Sequence, residues 1–142
     1  MKRVLALAAV LALALTSVAF AGVQDFGTFT VDVPTGWTAE QDGTTVGFVK
    51  NDKTASMSVT VDENDGTGID DLAAMFMKEF NGKNLTKDDQ GNAVFDFTTA
   101  NGVTSKAVLN CDAKHFGLIV LTGVENAQSE MYSIMDSLTF KD

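Results

Sequence analysis

Arginine is nearly missing from this chain: Arg3 is the only one among 142 residues. Cysteine, proline, histidine and tryptophan each occur once, as Cys111, Pro34, His115 and Trp37. Each scarcity excludes something. A lone cysteine cannot close an internal disulfide, so the fold has to be held by its core. One Cys and one His cannot make a four-ligand zinc site without carboxylates. No second His, no nearby Arg and no Gly-x-Ser-x-Gly elbow are present to complete a hydrolase site. With so few cations and a formal net charge of −9, the surface repels phosphate backbones and anionic lipid headgroups.

What is present begins with a leader. Lys2 and Arg3 precede an unbroken apolar run from Val4 to Leu15, and Ala19-Phe20-Ala21 has the small-x-small pattern of a peptidase site. The run is short for a membrane span, which takes roughly 20 residues. Residues 1–21 are therefore expected to be a signal peptide cleaved after Ala21, leaving a single domain from 22 to 142 in the periplasm or outside the cell. Losing Lys2 and Arg3 takes the net charge from −9 to −11. A lipoprotein anchor would need a Cys just after the apolar run, and the only Cys is Cys111.

The mature chain alternates and then turns, repeatedly. Phe29, Val31 and Val33 alternate with Thr30 and Asp32, the period of a strand with one buried face. Pro34 and Gly36 then predict a type I turn with Pro34 at its second position, and Trp37 is placed to pack back over the sheet. Thr45 to Lys50 and Ala55 to Val61 read as two further strands, and the three segments as an antiparallel meander. After the acidic, Gly-rich connection Asp62 to Gly68, Ile69, Leu72, Ala73, Phe76 and Phe80 form one apolar stripe of a helix. Its start is Thr67 with Asp70 as a capping box, or Gly68, and Gly82 is placed to end it.

Short strands follow at Leu85 to Lys87, Asn92 to Thr99 and Val103 to Asp112. The hairpin register can be argued. A two-residue Asn-Gly loop would set Phe97 opposite Lys106, mixing polar and apolar residues on both faces. A three-residue loop around Ala100-Asn-Gly102, with Gly102 left-handed, sets Phe95 opposite Ala107 and Asp96 opposite Lys106. The second puts Ala93, Phe95, Phe97, Val103, Ala107 and Leu109 on one face, so it is the expected register. Phe116 to Leu121 is apolar almost throughout and reads as a central strand covered on both sides. Ala127, Met131, Ile134, Met135 and Leu138 mark a second amphipathic helix, and Leu138 to Phe140 a last edge strand. The order β-β-β-α-β-β-β-β-α-β belongs to the α+β class, an antiparallel sheet flanked by two helices.

This order, with the residues at its two ends, resembles the PsbP-like family and its bacterial DcrB-like relatives, the Mog/PsbP-type fold. The family opens on an aromatic-x-Val-x-Val-Pro-x-Gly-Trp strand and turn, matched by Phe29, Val31, Val33, Pro34, Gly36 and Trp37. It closes on a helix and a strand similar to Ser137-Leu-Thr-Phe140. The resemblance implies an antiparallel sheet between helices and an accessory, chaperone or assembly role, without catalysis. DcrB-like proteins are lipid-anchored in the periplasm, and this chain departs from them in lacking the anchoring Cys.

Several residues bear weighing as sites. Cys111 and His115 are the only pair suggestive of Cys–His nucleophilic chemistry. Cys111 shares its strand side with Ala107 and Leu109, so it reads as a buried small hydrophobe, and His115 as a turn residue. Asp62, Glu63 and Asp65 are the candidate ligands should a cation bind, although the loop fails the EF-hand spacing: glycine falls fifth from Asp62, and the twelfth position is Ala73. Met57, Met75, Met77, Met131 and Met135 suit Cu(I) by chemistry but core filling by position.

No catalytic residue, cofactor site or metal site is therefore assigned. The expected function is that of a non-enzymatic, soluble periplasmic accessory or binding protein that recognises a protein partner, a basic one on grounds of charge. The alternative is a carrier of a small ligand or divalent metal. A carrier requires a deep cavity between helices and sheet with convergent polar groups, and an accessory module a filled core. An enzyme requires Cys111 exposed and within hydrogen-bond reach of His115.

Overall fold

The computed structural model describes residues 22–141. The expected signal peptide and its cleavage after Ala21 lie outside the described residues. Among the described residues ten strands and two helices follow one another as β1 (Gly22–Asp25), β2 (Phe29–Val33), β3 (Trp37–Asp42), β4 (Thr45–Lys50), β5 (Ser56–Glu63), α1 (Ile69–Phe80), β6 (Lys83–Lys87), β7 (Ala93–Thr98), β8 (Thr104–Cys111), β9 (His115–Thr122), α2 (Val124–Ser137) and β10 (Thr139–Phe140). The expected elements keep their order, and β1 and β3 join them. The protein is α+β, as its alternating patterns indicate.

The strands form two antiparallel sheets instead of one. The larger runs β3-β4-β5-β9-β8-β7-β6, and the smaller β1-β2-β10. The meander is accordingly β3-β4-β5, while β2 leaves the large sheet to pair with β1 and β10. The turn after β2 explains the departure. It closes from the Pro34 carbonyl to the Trp37 amide at 3.3 Å, which makes Pro34 its first residue. Gly36 is its third, with φ 93°, the positive value of a type II turn instead of the expected type I. That geometry sends the chain into β3, whose short polar sequence Trp37–Asp42 hides the strand from pattern reading.

The hairpin register is the expected one. Phe95 faces Ala107 and Asp96 faces Lys106, whose ammonium donates to Asp96 Oδ1 at 3.0 Å. Gly102 has φ 82°, the left-handed turn residue. Val103 departs from the expectation, being 45 % exposed, because it lies in the loop past the end of the strand. The start of α1 differs in a similar way. Gly68 is its N-cap with no side-chain cap, since the Thr67 hydroxyl donates to Asp65 Oδ1 at 2.7 Å. Asn81, with φ 55°, caps its other end. Gly82 follows because a Cβ there would strike Met77 and Phe95.

Two cores sandwich the large sheet. On one face the small sheet and α2 bury Phe29, Val31, Trp37, Phe48, Met131 and Ile134 against Met57, Val59 and Leu121. On the other, α1 packs Leu72, Ala73 and Phe76 onto Phe95, Leu109, Leu118 and Val120. Burying a side chain such as Phe76 stabilises by about 1.5–3 kcal/mol. β9 lies between β5 and β8 and is buried from Phe116 to Leu121, the central strand its apolar sequence predicts. The Ser/Thr side of β5 is buried as well, with the Thr45 and Thr60 hydroxyls bonded to each other at 2.7 Å. Among the described residues no helix is long and apolar enough to cross a membrane.

Two contacts fix α2. The Trp37 indole N–H donates to Glu130 Oε2 at 2.7 Å, and Lys50 Nζ lies 3.1 Å from Oε1. Trp37 is thus a packed residue, 2 % exposed, as its place after the turn suggests. At the start of α2, Gly123 has φ 74°, and a Cβ there would overlap the Thr54 carbonyl.

These contacts make two predictions. Gly123→Ala places a side chain in the left-handed region, costing about 1–3 kcal/mol from the backbone alone, and adds the overlap with Thr54. A urea titration should show a lowered midpoint with unchanged slope. The Glu130 carboxyl is held below its usual range by the Trp37 hydrogen bond and then by Lys50, against a small opposing effect of burial. Its stabilisation is present above the unfolded-state pKa and lost as pH falls through the lower folded-state value. Thermal melts from neutral pH downward should therefore fall more steeply for the parent protein than for Glu130→Gln; parallel curves would refute the linkage.

Candidate functional site

The polar connection between β5 and α1 is folded by one asparagine. Asn64 Nδ2 donates to the Thr67 carbonyl at 2.8 Å and to the Asp112 carbonyl at 2.7 Å, while its Oδ1 accepts the Thr67 amide at 3.2 Å. Its backbone N–H donates to the Lys114 carbonyl at 2.7 Å. The loop is thereby tied to the turn between β8 and β9. Asp112 shapes that turn in the same manner, its Oδ1 accepting the Lys114 and His115 amides at 2.8 and 2.7 Å. These two bonds, His115 first, hold the Asp112 carboxyl below its ordinary range.

An open groove of about 910 Å³ lies between the two turns and the flank of α1. Glu63–Thr67 form one side and Ala113–Phe116 the other, with Leu72 and Met75 of α1 supplying apolar surface. Met75 is 39 % exposed, whereas Met57 and Met131 are fully buried, as core-filling methionines should be. A smaller depression of about 260 Å³ sits beside it, between Cys111, Asn110, Gly117 and the Phe140–Lys141 end of the chain. Gly117 leaves room there for the Asn110 side chain.

The structure brings Glu63, Asp65 and His115 to one groove, and Cys111 and His115 to the smaller depression beside it. Asp62 and Glu63 end β5, directly opposite Phe116 and His115 of β9. Asp62 Oδ1 accepts the Glu63 amide at 2.8 Å and Asp65 Oδ1 the Thr67 hydroxyl, so these oxygens already serve the loop. Among the described residues no three His, Cys, Asp or Glu side chains come together as a metal site. The half-buried Cys111 directs its thiol to the Thr67 carbonyl at 3.8 Å instead of to His115. Burial, and secondarily the Asp112 charge, push its pKa up, away from thiolate chemistry. Asn64 and Lys114 were not singled out in the sequence, and Met75, read there as core filling, is exposed on the groove. Asn64 alone left a trace there, as an asparagine two residues before a Gly in a turn-rich stretch.

Neither the family models nor the curated proteins contain a match to this sequence. Solved structures do resemble it. A cyanobacterial PsbP, CyanoP from Synechocystis sp. PCC 6803, superposes with a TM-score of 0.56 at 16 % identity, covering 87 % of this chain and 95 % of that one. The fold is PsbP-like. A protein from Bacteroides thetaiotaomicron VPI-5482 gives a TM-score of 0.55, also at 16 % identity, over 80 % of this chain. The match covers 45 % of the Bacteroides protein, so this chain spans less than half its length. At such identity the PsbP-like likeness concerns the backbone and carries over no site residue.

Asn64→Ala removes the side-chain bonds that join loop, helix start and hairpin, each of which contributes about 0.5–1.5 kcal/mol. The variant should lose about 1–3 kcal/mol in urea unfolding, and amide exchange at Thr67 should quicken while that of β9 follows only the global loss.

Proposed function

We propose that this protein is a non-enzymatic accessory protein of the periplasm, released by cleavage after Ala21, that recognises a protein partner. The observation that carries this reading is the filled interior. The space between α2 and the large sheet is occupied by Phe48, Met57, Met131 and Ile134, and that between α1 and the sheet by Leu72, Phe76, Phe95 and Leu109, all no more than 2 % exposed. A carrier needs that space for its cargo. The groove at the loop end is instead open to solvent, and a surface of this kind suits a macromolecular partner.

Two further points agree. The Cys111 thiol contacts the Thr67 carbonyl and its pKa is raised, which speaks against a nucleophile. The PsbP-like backbone is shared with CyanoP, a PsbP by name. The net charge favours a basic partner, by steering its approach.

Placing the photo-crosslinking residue benzoylphenylalanine at position 75, on the groove, and separately at 53, in the exposed β4–β5 turn, tests the proposal in the native cell. A discrete adduct is expected from position 75 and not from 53. No adduct at 75, or the same adducts from both, would refute it.

A further inference from the structure

The groove carries the carboxylates of Glu63 and Asp65 on one side and Lys114 on the other. Glu63 and His115 are direct cross-strand partners, and Lys114 is the next residue, yet none of these three side chains makes an ion pair among the described residues. Lys50 meets Glu130, Lys87 meets Asp70, Lys106 meets Asp96 and Lys141 meets Asp25, whereas Lys53, Lys78 and Lys83, like Lys114, make no ion pair among the described residues. Asn64 explains the separation. By tying its backbone to the Lys114 carbonyl and its amide to the Asp112 carbonyl, it fixes the acidic loop and the hairpin by their main chains. These main-chain ties leave Glu63 without an ion pair among the described residues, while Lys114 lies in the field of the Asp112 carboxylate.

Between them lies apolar surface, the exposed Met75 beside the buried Leu72 and Phe116. From this arrangement we infer that the groove takes an extended segment of a protein partner with an apolar anchor residue flanked by charges of opposite sign. The cation lies toward Glu63 and Asp65, the carboxylate toward Lys114, and the anchor on Met75. A groove of about 910 Å³ is at the upper end of the usual range for bound ligands and has room for a few residues of extended chain. Solvent-exposed ion pairs each contribute little, so the apolar anchor supplies most of the affinity and the charges set the direction in which the segment lies. This inference rests on the partner-binding reading and gives the partner its local chemistry.

The probes are three amidated, acetylated pentapeptides: Gly-Lys-Leu-Glu-Gly, the charge-reversed Gly-Glu-Leu-Lys-Gly, and Gly-Lys-Ala-Glu-Gly. They are titrated into isotope-labelled protein and followed by amide chemical shifts. One charge order should give saturable shifts at Gly66, Thr67 and Ala113, binding about tenfold better than the reverse, from two exposed ion pairs gained or lost. The alanine peptide should bind still more weakly. Lys114→Glu should narrow or invert the preference, and Met75→Asp, on the surface and so harmless to the core, should abolish the shifts. Equal binding of both charge orders, shifts confined to residues outside the groove, or no saturable shift at all would overturn the inference. An adduct from position 75 in the crosslinking experiment, with peptides that do not discriminate, would overturn it while leaving the partner-binding reading in place.

Discussion

Strand β9 has protein on every side, and the rest of the molecule is arranged to keep it so. Its neighbours β5 and β8 satisfy its backbone along its whole length. Its side chains alternate between two cores, Ile119 and Leu121 toward the small sheet and α2, Phe116, Leu118 and Val120 toward α1. A strand of this kind cannot be left uncovered on either side without exposing a continuous apolar surface. Both helices are therefore required, and without a disulfide their docking must come from side-chain fit alone. The Trp37–Glu130–Lys50 cluster on one side and the stacked Phe80 and Phe97 rings, 4.8 Å apart, on the other are where that fit is most specific.

The same arrangement dictates where anything can be recognised. With both interlayer spaces full, the places left for function are ends and edges. The edge strand β6 is exposed throughout, but it is interrupted by a bulge at Asn84, φ 60°, and bracketed by Lys83 and Lys87. Such features blunt an edge against pairing with another chain. The turns at the Glu63 end of β5 and the His115 end of β9 are the opposite case, their main chains tied to each other through Asn64 and a groove left open between them.

How much of this was legible in the sequence depended on whether a residue's role was local. The β7–β8 register could be read because Asp96 with Lys106 and Phe95 with Ala107 make sense in only one alignment. The buried stripe of α1 and the central position of β9 follow from periodicity and from an unbroken apolar run. β3 could not be read, since a strand of Thr38, Glu40 and Gln41 owes its pairing to β4 and not to its own pattern. Nor could the groove. Its walls are 48 residues apart at Asn64 and Asp112, and only the antiparallel pairing of β5 with β9 brings them face to face. Acidity drew attention to Asp62, Glu63 and Asp65 as a cation loop, yet the residue that organises the loop is the neutral one among them.

The sulfur of Cys111 touches the carbonyl of Thr67, and Thr67 belongs to the loop that Asn64 holds down. The chain's single thiol thus touches the loop that forms one side of the groove. If closed loop and shielded thiol come and go together, the native protein's thiol-modification rate, divided by that of an unhindered thiol, is the equilibrium constant for lifting that loop. The protein therefore contains an internal reporter for the lifting of that loop, one that can be read without attaching any probe.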